Sequence, residues 1–160
     1  MLAGDARLRE NRPPRPGRLH LLRKLRFLSF SWHTLRSALQ AKRSAGFLGG
    51  FLAGDAQGGA WTVTTWGGEA DMRAFRNSGA HKTAMPKLPK LCDEASFTHW
   101  VAETPGVPTA DEAYERLKNG GRLSKVNRPS AAHAAGRSVS EGVPRAALNP
   151  KPRSKSRIQV

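Results

Sequence analysis

The stretch that decides the fold is Phe47-Leu48-Gly49-Gly50-Phe51-Leu52-Ala53, followed by Gly54-Asp55-Ala56-Gln57-Gly58-Gly59 and then Ala60-Trp61-Thr62-Val63-Thr64-Thr65-Trp66. Two short apolar runs joined by a glycine-rich connection read as an antiparallel hairpin. Alternation along a strand sets Phe47 and Phe51 against Leu48 and Leu52, and Trp61 and Val63 against Trp66. Both faces of this hairpin are therefore apolar.

Upstream, Trp32, Leu35, Ala38 and Leu39 fall on one helical stripe, opposite His33, Arg36, Gln40 and Arg43. This spacing predicts an amphipathic helix capped by Ser31, with the Trp32 stripe as its buried side. Gly46 stands where a helix end favours left-handed backbone. Before it, Leu19 to Phe30 mixes Leu and Phe with charges and is read as a strand.

Downstream, Gly67 and Gly68 end the second hairpin strand, and Glu69 and Asp71 lie near a helix start, where negative charge is favoured. Met72 and Phe75 supply the buried side of that helix. It runs through Ser78-Gly79-Ala80-His81 toward Met85, and Pro86 and Pro89 predict two pieces or a kink. Ala95 to Val101 is the last strand, with Phe97 and Val101 opposed to Trp100. Thr109 with Glu112 forms a capping-box pattern opening a further helix to about Asn119, ended by Gly120 and Gly121.

These elements give an α+β domain of β-α-β-β-α-β order over 19–103. It is preceded by a basic tail, 1–18, expected to be disordered. A capped helix within 104–121 is placed against the domain, and a basic tail, 122–160, is expected to lack packed structure because it is poor in large apolar residues. Two helices cover one face of a four-stranded sheet, so the other is expected to be covered by a second copy in a homodimer.

The chain carries 27 Lys and Arg against 12 Asp and Glu, a net +15, divided as +3 over residues 1–18, +5 over 19–103 and +7 over 104–160. Such a charge attracts polyanions non-specifically. Cys92 is the single cysteine, which excludes an intrachain disulfide and a multi-thiolate metal site and suits a reducing cytoplasm. No uncharged stretch is long enough to span a bilayer, and no apolar core marks a secretory signal.

Among candidate residues, His81 follows a glycine near the predicted kink and is the candidate base, hydrogen-bond donor or axial ligand; the alternative is a locally packed histidine. Trp61, Trp66 and Trp100 line an aromatic pocket or serve as core. His99 is placed opposite Trp100, His33 on a polar helix face. Arg23 and Arg26 lie on opposite faces of the expected first strand, where an inward one would bind a carboxylate. Cys92, next to Asp93 and Glu94, is not a nucleophile by this reading. The turn around Gly58 lacks the setting of a phosphate loop.

Thr62-Val63-Thr64-Thr65-Trp66, Glu69, Met72-Arg73-Ala74-Phe75 and Ser78-Gly79-Ala80-His81, in this order of elements, resemble the dimeric α/β-barrel superfamily of antibiotic biosynthesis monooxygenase-like proteins. Spheroidene-monooxygenase-like and uncharacterised members are the nearest in pattern. The resemblance implies a ferredoxin-like fold with an antiparallel sheet, a homodimer, and a pocket between sheet and helices. It implies His81 as the catalytic residue, or as a haem ligand, with Trp66, Phe75, Trp100 and Trp61 around a hydrophobic or aromatic substrate; the cofactor is none or haem. Met85 stands where the haem-degrading branch has His, and the expected first strand has no Asn, which sets that reaction aside.

Three readings follow: a monooxygenase-like protein, a non-catalytic small-molecule-binding or stress-associated protein of the same fold, and a basic nucleic-acid accessory protein using its tails. The third lacks aromatic residues for stacking, since Tyr114 is the one aromatic after Trp100.

Overall fold

The computed structural model describes residues 2–10, 19–55, 58–103, 106–139 and 145–148, with side chains described between residues 26 and 139. Strand β1 is Leu2–Glu10, helix α1 Leu19–Arg43, and the hairpin strands are β2, Phe47–Gly54, and β3, Gly59–Trp66. Short helices α2 (Glu69–Arg76), α3 (Gly79–Ala84) and α4 (Leu88–Leu91), with a 3-10 turn at Met85–Lys87, lead into β4, Cys92–Val101. Then follow α5 (Ala110–Gly120), β5 (Arg122–Leu123), α6 (Ala131–Ala134) and β6 (Arg145–Leu148).

The strands form one antiparallel sheet in the order β5-β4-β1-β3-β2-β6. Its inner four strands, β4-β1-β3-β2, with α1 and the α2–α4 run as the two crossovers, make the ferredoxin-like βαββαβ unit expected from the sequence.

The expected first strand is misplaced, however. Leu19 to Phe30 is the first half of α1, and the strand is Leu2–Glu10, inside the segment expected to be a disordered tail. Two physical facts account for this. Residues 19–33 contain no Val, Ile or Thr but are rich in Leu, Arg and Lys, which lose little side-chain freedom in a helix. Leu2, Gly4, Ala6 and Leu8 alternate with Asp5, Arg7 and Arg9, which is the period of a strand. β1 holds its place through pairing on both sides, Asp5 opposite Val63 of β3 and Thr98 of β4.

The kinked second crossover comes out as expected. Pro86 and Pro89 stand in the first turns of the 3-10 segment and α4, where their missing N–H groups cost little. Gly46 has φ 70° and closes α1. The N-terminus of α5 is held by Glu112 N–H donating to Thr109 Oγ1 at 3.2 Å.

The sheet's second face is covered by the chain itself. Leu117 of α5 is fully buried against Trp61 and Ala53, with Phe51, Tyr114 and Val139 around them. Val63 and Thr65 are fully buried on the same side of β3. The open apolar face that led to the expectation of a second copy is thus filled from within. The expectation that 122–160 lacks packed structure is corrected for residues 122–139. Few large apolar side chains are needed there, because backbone donors fix the segment: Ser124 N–H to Ala95 O, Asn127 N–H to Pro89 O and Ser130 N–H to Asp93 O. His133 is buried and bonds through Nε2 to the carbonyl of Ser124 at 3.0 Å. The rest of that tail, apart from β6, lies outside the described residues, as do residues 11–18.

Candidate functional site

β3 ends on Trp66 because Gly67 and Gly68 follow, and this leaves the indole at the rim of the helix-covered face. It is fully buried. Its Nε1–H donates to Thr64 Oγ1 at 3.0 Å, which meets the indole's one polar requirement. Phe47 meets it edge-on at 5.3 Å between ring centroids, and Phe75 of α2 stacks on it at 4.9 Å. Ala41 of α1 and Met72 complete this cluster.

His81 extends the row of rings, its imidazole 4.8 Å from the Phe75 ring at a tilt of 54°. Nδ1 lies 3.1 Å from the carbonyl oxygen of Arg76. A carbonyl only accepts, so Nδ1 carries the hydrogen and Nε2 of the neutral ring presents its lone pair. Among the described residues Nε2 has no hydrogen-bond partner. Burial pushes the imidazole below its ordinary pKa, and the nearby Arg76 charge adds to this while the bond to the Arg76 carbonyl opposes it. The neutral, basic form is therefore the resting one at neutral pH.

Gln40 ties this junction to α1. Its Oε1 accepts from the backbone N–H of His81 at 2.9 Å, and its Nε2 donates to the carbonyls of Phe75 at 3.2 Å and Ser78 at 3.1 Å. Gly79, with φ 53°, lets the chain turn tightly past it, since a Cβ there would sit 2.9 Å from the Gln40 amide carbon. Reading the sequence placed Gln40 on a solvated helix face. Nothing local marks it, because its partners lie 35 to 41 residues away. Beside this junction an open groove of about 520 Å³ runs between α1 and the start of α3, bordered by Arg36, Gln40, Arg43 and Ser78.

The expected aromatic pocket is divided by the sheet. Trp66 and Phe75 share the helix-covered side with His81, whereas Trp61 is on the other side, donating to Asp55 Oδ2 at 3.1 Å and lying 6.2 Å from the Tyr114 ring. Trp100 also faces away from Trp66, because its strand neighbours pair out of phase with those of Trp66: Leu2 stands opposite both Trp66 and Val101. The Arg116 guanidinium lies 5.6 Å from the Trp100 ring. The buried Nε1 of Trp100 and Oγ1 of Thr65 have no partner among the described residues.

His99 is exposed on β4. His33 bonds through Nε2 to Lys87 Nζ at 3.2 Å, and desolvation, Lys87 and Arg36 lower its pKa. Arg26 is half-buried on α1, not on a strand, and Arg23 lies among residues whose side chains are not described. Cys92 is fully buried, in keeping with a structural role. No cluster of three or more His, Cys, Asp or Glu that could hold a metal occurs among the described residues.

No protein-family model and no curated protein matches the sequence. Solved structures do match the fold. Rv0793 from Mycobacterium tuberculosis superposes with a TM-score of 0.54 at 10% identity, over 66% of this chain and 97% of its own. A candidate antibiotic biosynthesis monooxygenase from Nitrosomonas europaea gives a TM-score of 0.50 at 10% identity, covering 65% of this chain and 100% of that one. The fold is that of the antibiotic biosynthesis monooxygenase-like proteins. A second Nitrosomonas europaea protein, of unknown function, has it too, with a TM-score of 0.50 at 13% identity over 68% and 94% of the two chains. At these identities the likeness is one of fold, and fold does not fix chemistry.

Proposed function

We propose that the protein is monooxygenase-like and acts on a hydrophobic or aromatic small molecule, with His81 as the base. The observation that carries this reading is the state of His81: Nδ1–H is engaged by the Arg76 carbonyl, and burial favours the neutral ring. In this reading an acidic methylene flanked by aromatic rings gives a proton to Nε2 of His81. The carbanion passes its electrons to dioxygen. One oxygen atom stays as a carbonyl and the other leaves as water with the two methylene hydrogens, so the substrate is its own reductant.

Trp66 and Phe75 stack at 4.9 Å and His81 meets the Phe75 ring at 4.8 Å, leaving no gap for a macrocycle between these rings. The reading adopted is the cofactor-free one. Oxygen uptake and carbonyl formation with a polycyclic aromatic methylene compound are the test. His81→Ala is expected to lower the rate by about 10²- to 10⁴-fold, the usual worth of a positioned base.

A second reading, binding without catalysis, is favoured by the complete burial of Trp66 and by Phe75 being core rather than cavity wall. If His81→Ala changes neither ligand affinity nor turnover, that reading replaces the first. A homodimer belongs to the proposal as a pairing of two already covered sheets. A light-scattering mass at micromolar concentration of twice 17.4 kDa supports it, and 17.4 kDa removes it.

A further inference from the structure

Helix α1 is turned the other way from its expected amphipathic orientation. Leu28, Trp32, Leu35 and Leu39 are 61, 58, 51 and 44% exposed, whereas the inward side holds the buried Ala41 and the bonded Gln40. Spaced four, three and four residues apart, the four exposed side chains form one straight stripe about 16 Å long on the outer surface of the helix.

The border of this stripe carries cations on both sides. By helical periodicity Arg36 and Arg43 flank it on one side and Lys42 on the other, and all three are exposed. The Arg36 guanidinium reaches back over the Trp32 ring at 5.9 Å. The neighbouring run from Asn77 to Leu91 adds exposed Lys82, Lys87 and Lys90. Neither α1 nor that run contains an acidic residue.

We propose that the outer face of α1 docks this protein on an anionic lipid bilayer. A large apolar stripe bordered on both sides by cations is the arrangement of a helix lying in the membrane interface, where apolar side chains enter the acyl boundary and Lys and Arg reach the headgroups. No helix among the described residues is long and apolar enough to cross a membrane, so the association is peripheral. Charge argues against a second copy as occupant, since like-charged borders would meet. A nucleic acid gives the four apolar side chains nothing to enter. A protein groove that wraps a helix needs more of its circumference than α1 offers, because Gln40 and Ala41 tie its inner side to the chain.

The test is flotation of the full chain with phosphatidylcholine vesicles, with and without phosphatidylglycerol as roughly a third of the lipid. Binding is expected with the anionic vesicles alone, together with quenching of Trp32 by brominated acyl chains. The double variant L35Q/L39Q, on exposed positions, is expected to bind at least about tenfold more weakly, two apolar side chains being removed from the interface. L48Q, an equally exposed change on β2, should leave binding as it was. Binding insensitive to L35Q/L39Q would assign the attraction to charge elsewhere and overturn the proposal. So would absence of quenching, or a stripe-dependent dimer in solution without lipid.

Discussion

Because burial lowers the pKa of His81, its effect on activity and on stability has one sign. Activity that needs the neutral ring is full at neutral pH and is lost as pH falls through the lowered folded value. A rate profile of the wild-type protein should therefore show its acid limb below pH 6.5, the ordinary histidine value. Stability follows the same direction. Between the folded and unfolded values the unfolded chain binds more protons, so stability falls as pH drops below 6.5. Thermal melts of His81→Asn across this range should show a shallower loss than the wild type. Gly50 gives a contrasting prediction that involves no charge. A Cβ there would collide with the carbonyl oxygen of Val63 on the paired strand, a backbone atom with no room to give. Gly50→Ala is expected to destabilise the fold by about 2 to 3 kcal/mol in denaturant unfolding, in the range of overpacked interior sites. At this scale the place of His81, two residues after Gly79 and near the kink, was legible, while its role stays a proposal. Gln40 was not, since its role consists entirely of partners distant in sequence.

Among the elements, α5 decides what the sheet's second face touches. Leu117 is fully buried there, and Leu117→Ala should cost about 2 to 5 kcal/mol in the same unfolding measurement. Thr109→Ala removes only the hydroxyl that accepts from Glu112 N–H and should cost about 1 kcal/mol. The ratio of these two changes separates packing of α5 from formation of α5. The capping pattern made its start readable, because a cap is a local signal. The orientation of α1 was not readable. Its apolar stripe at Trp32, Leu35 and Leu39 satisfies the rule for an inward face, yet the side that packs inward carries Ala41 and Gln40, whose small size and amide bonds let the helix lie close to α3.

For the whole molecule, the hairpin, the kinked second crossover and the last strand were legible because periodicity and glycine or proline punctuation act within a few residues. These elements set the α+β class, and the ferredoxin-like fold was what the resemblance implied. The position of the first strand was decided only by tertiary structure. Leu2–Glu10 is stabilised by pairing with both β3 and β4 across the centre of the sheet, which outweighs four charged residues among nine; its alternation is a weak signal until those partners are in place. The opposition of Trp61 and Trp66 followed from alternation along β3, but the side taken by Trp100 was decided by register, since one residue of phase moves a side chain through the sheet. So was the cover of the second face, which came from the chain's own residues 107 to 139. Burial on that side depends on which distant segment reaches it, and the order of apolar residues along the chain does not specify that.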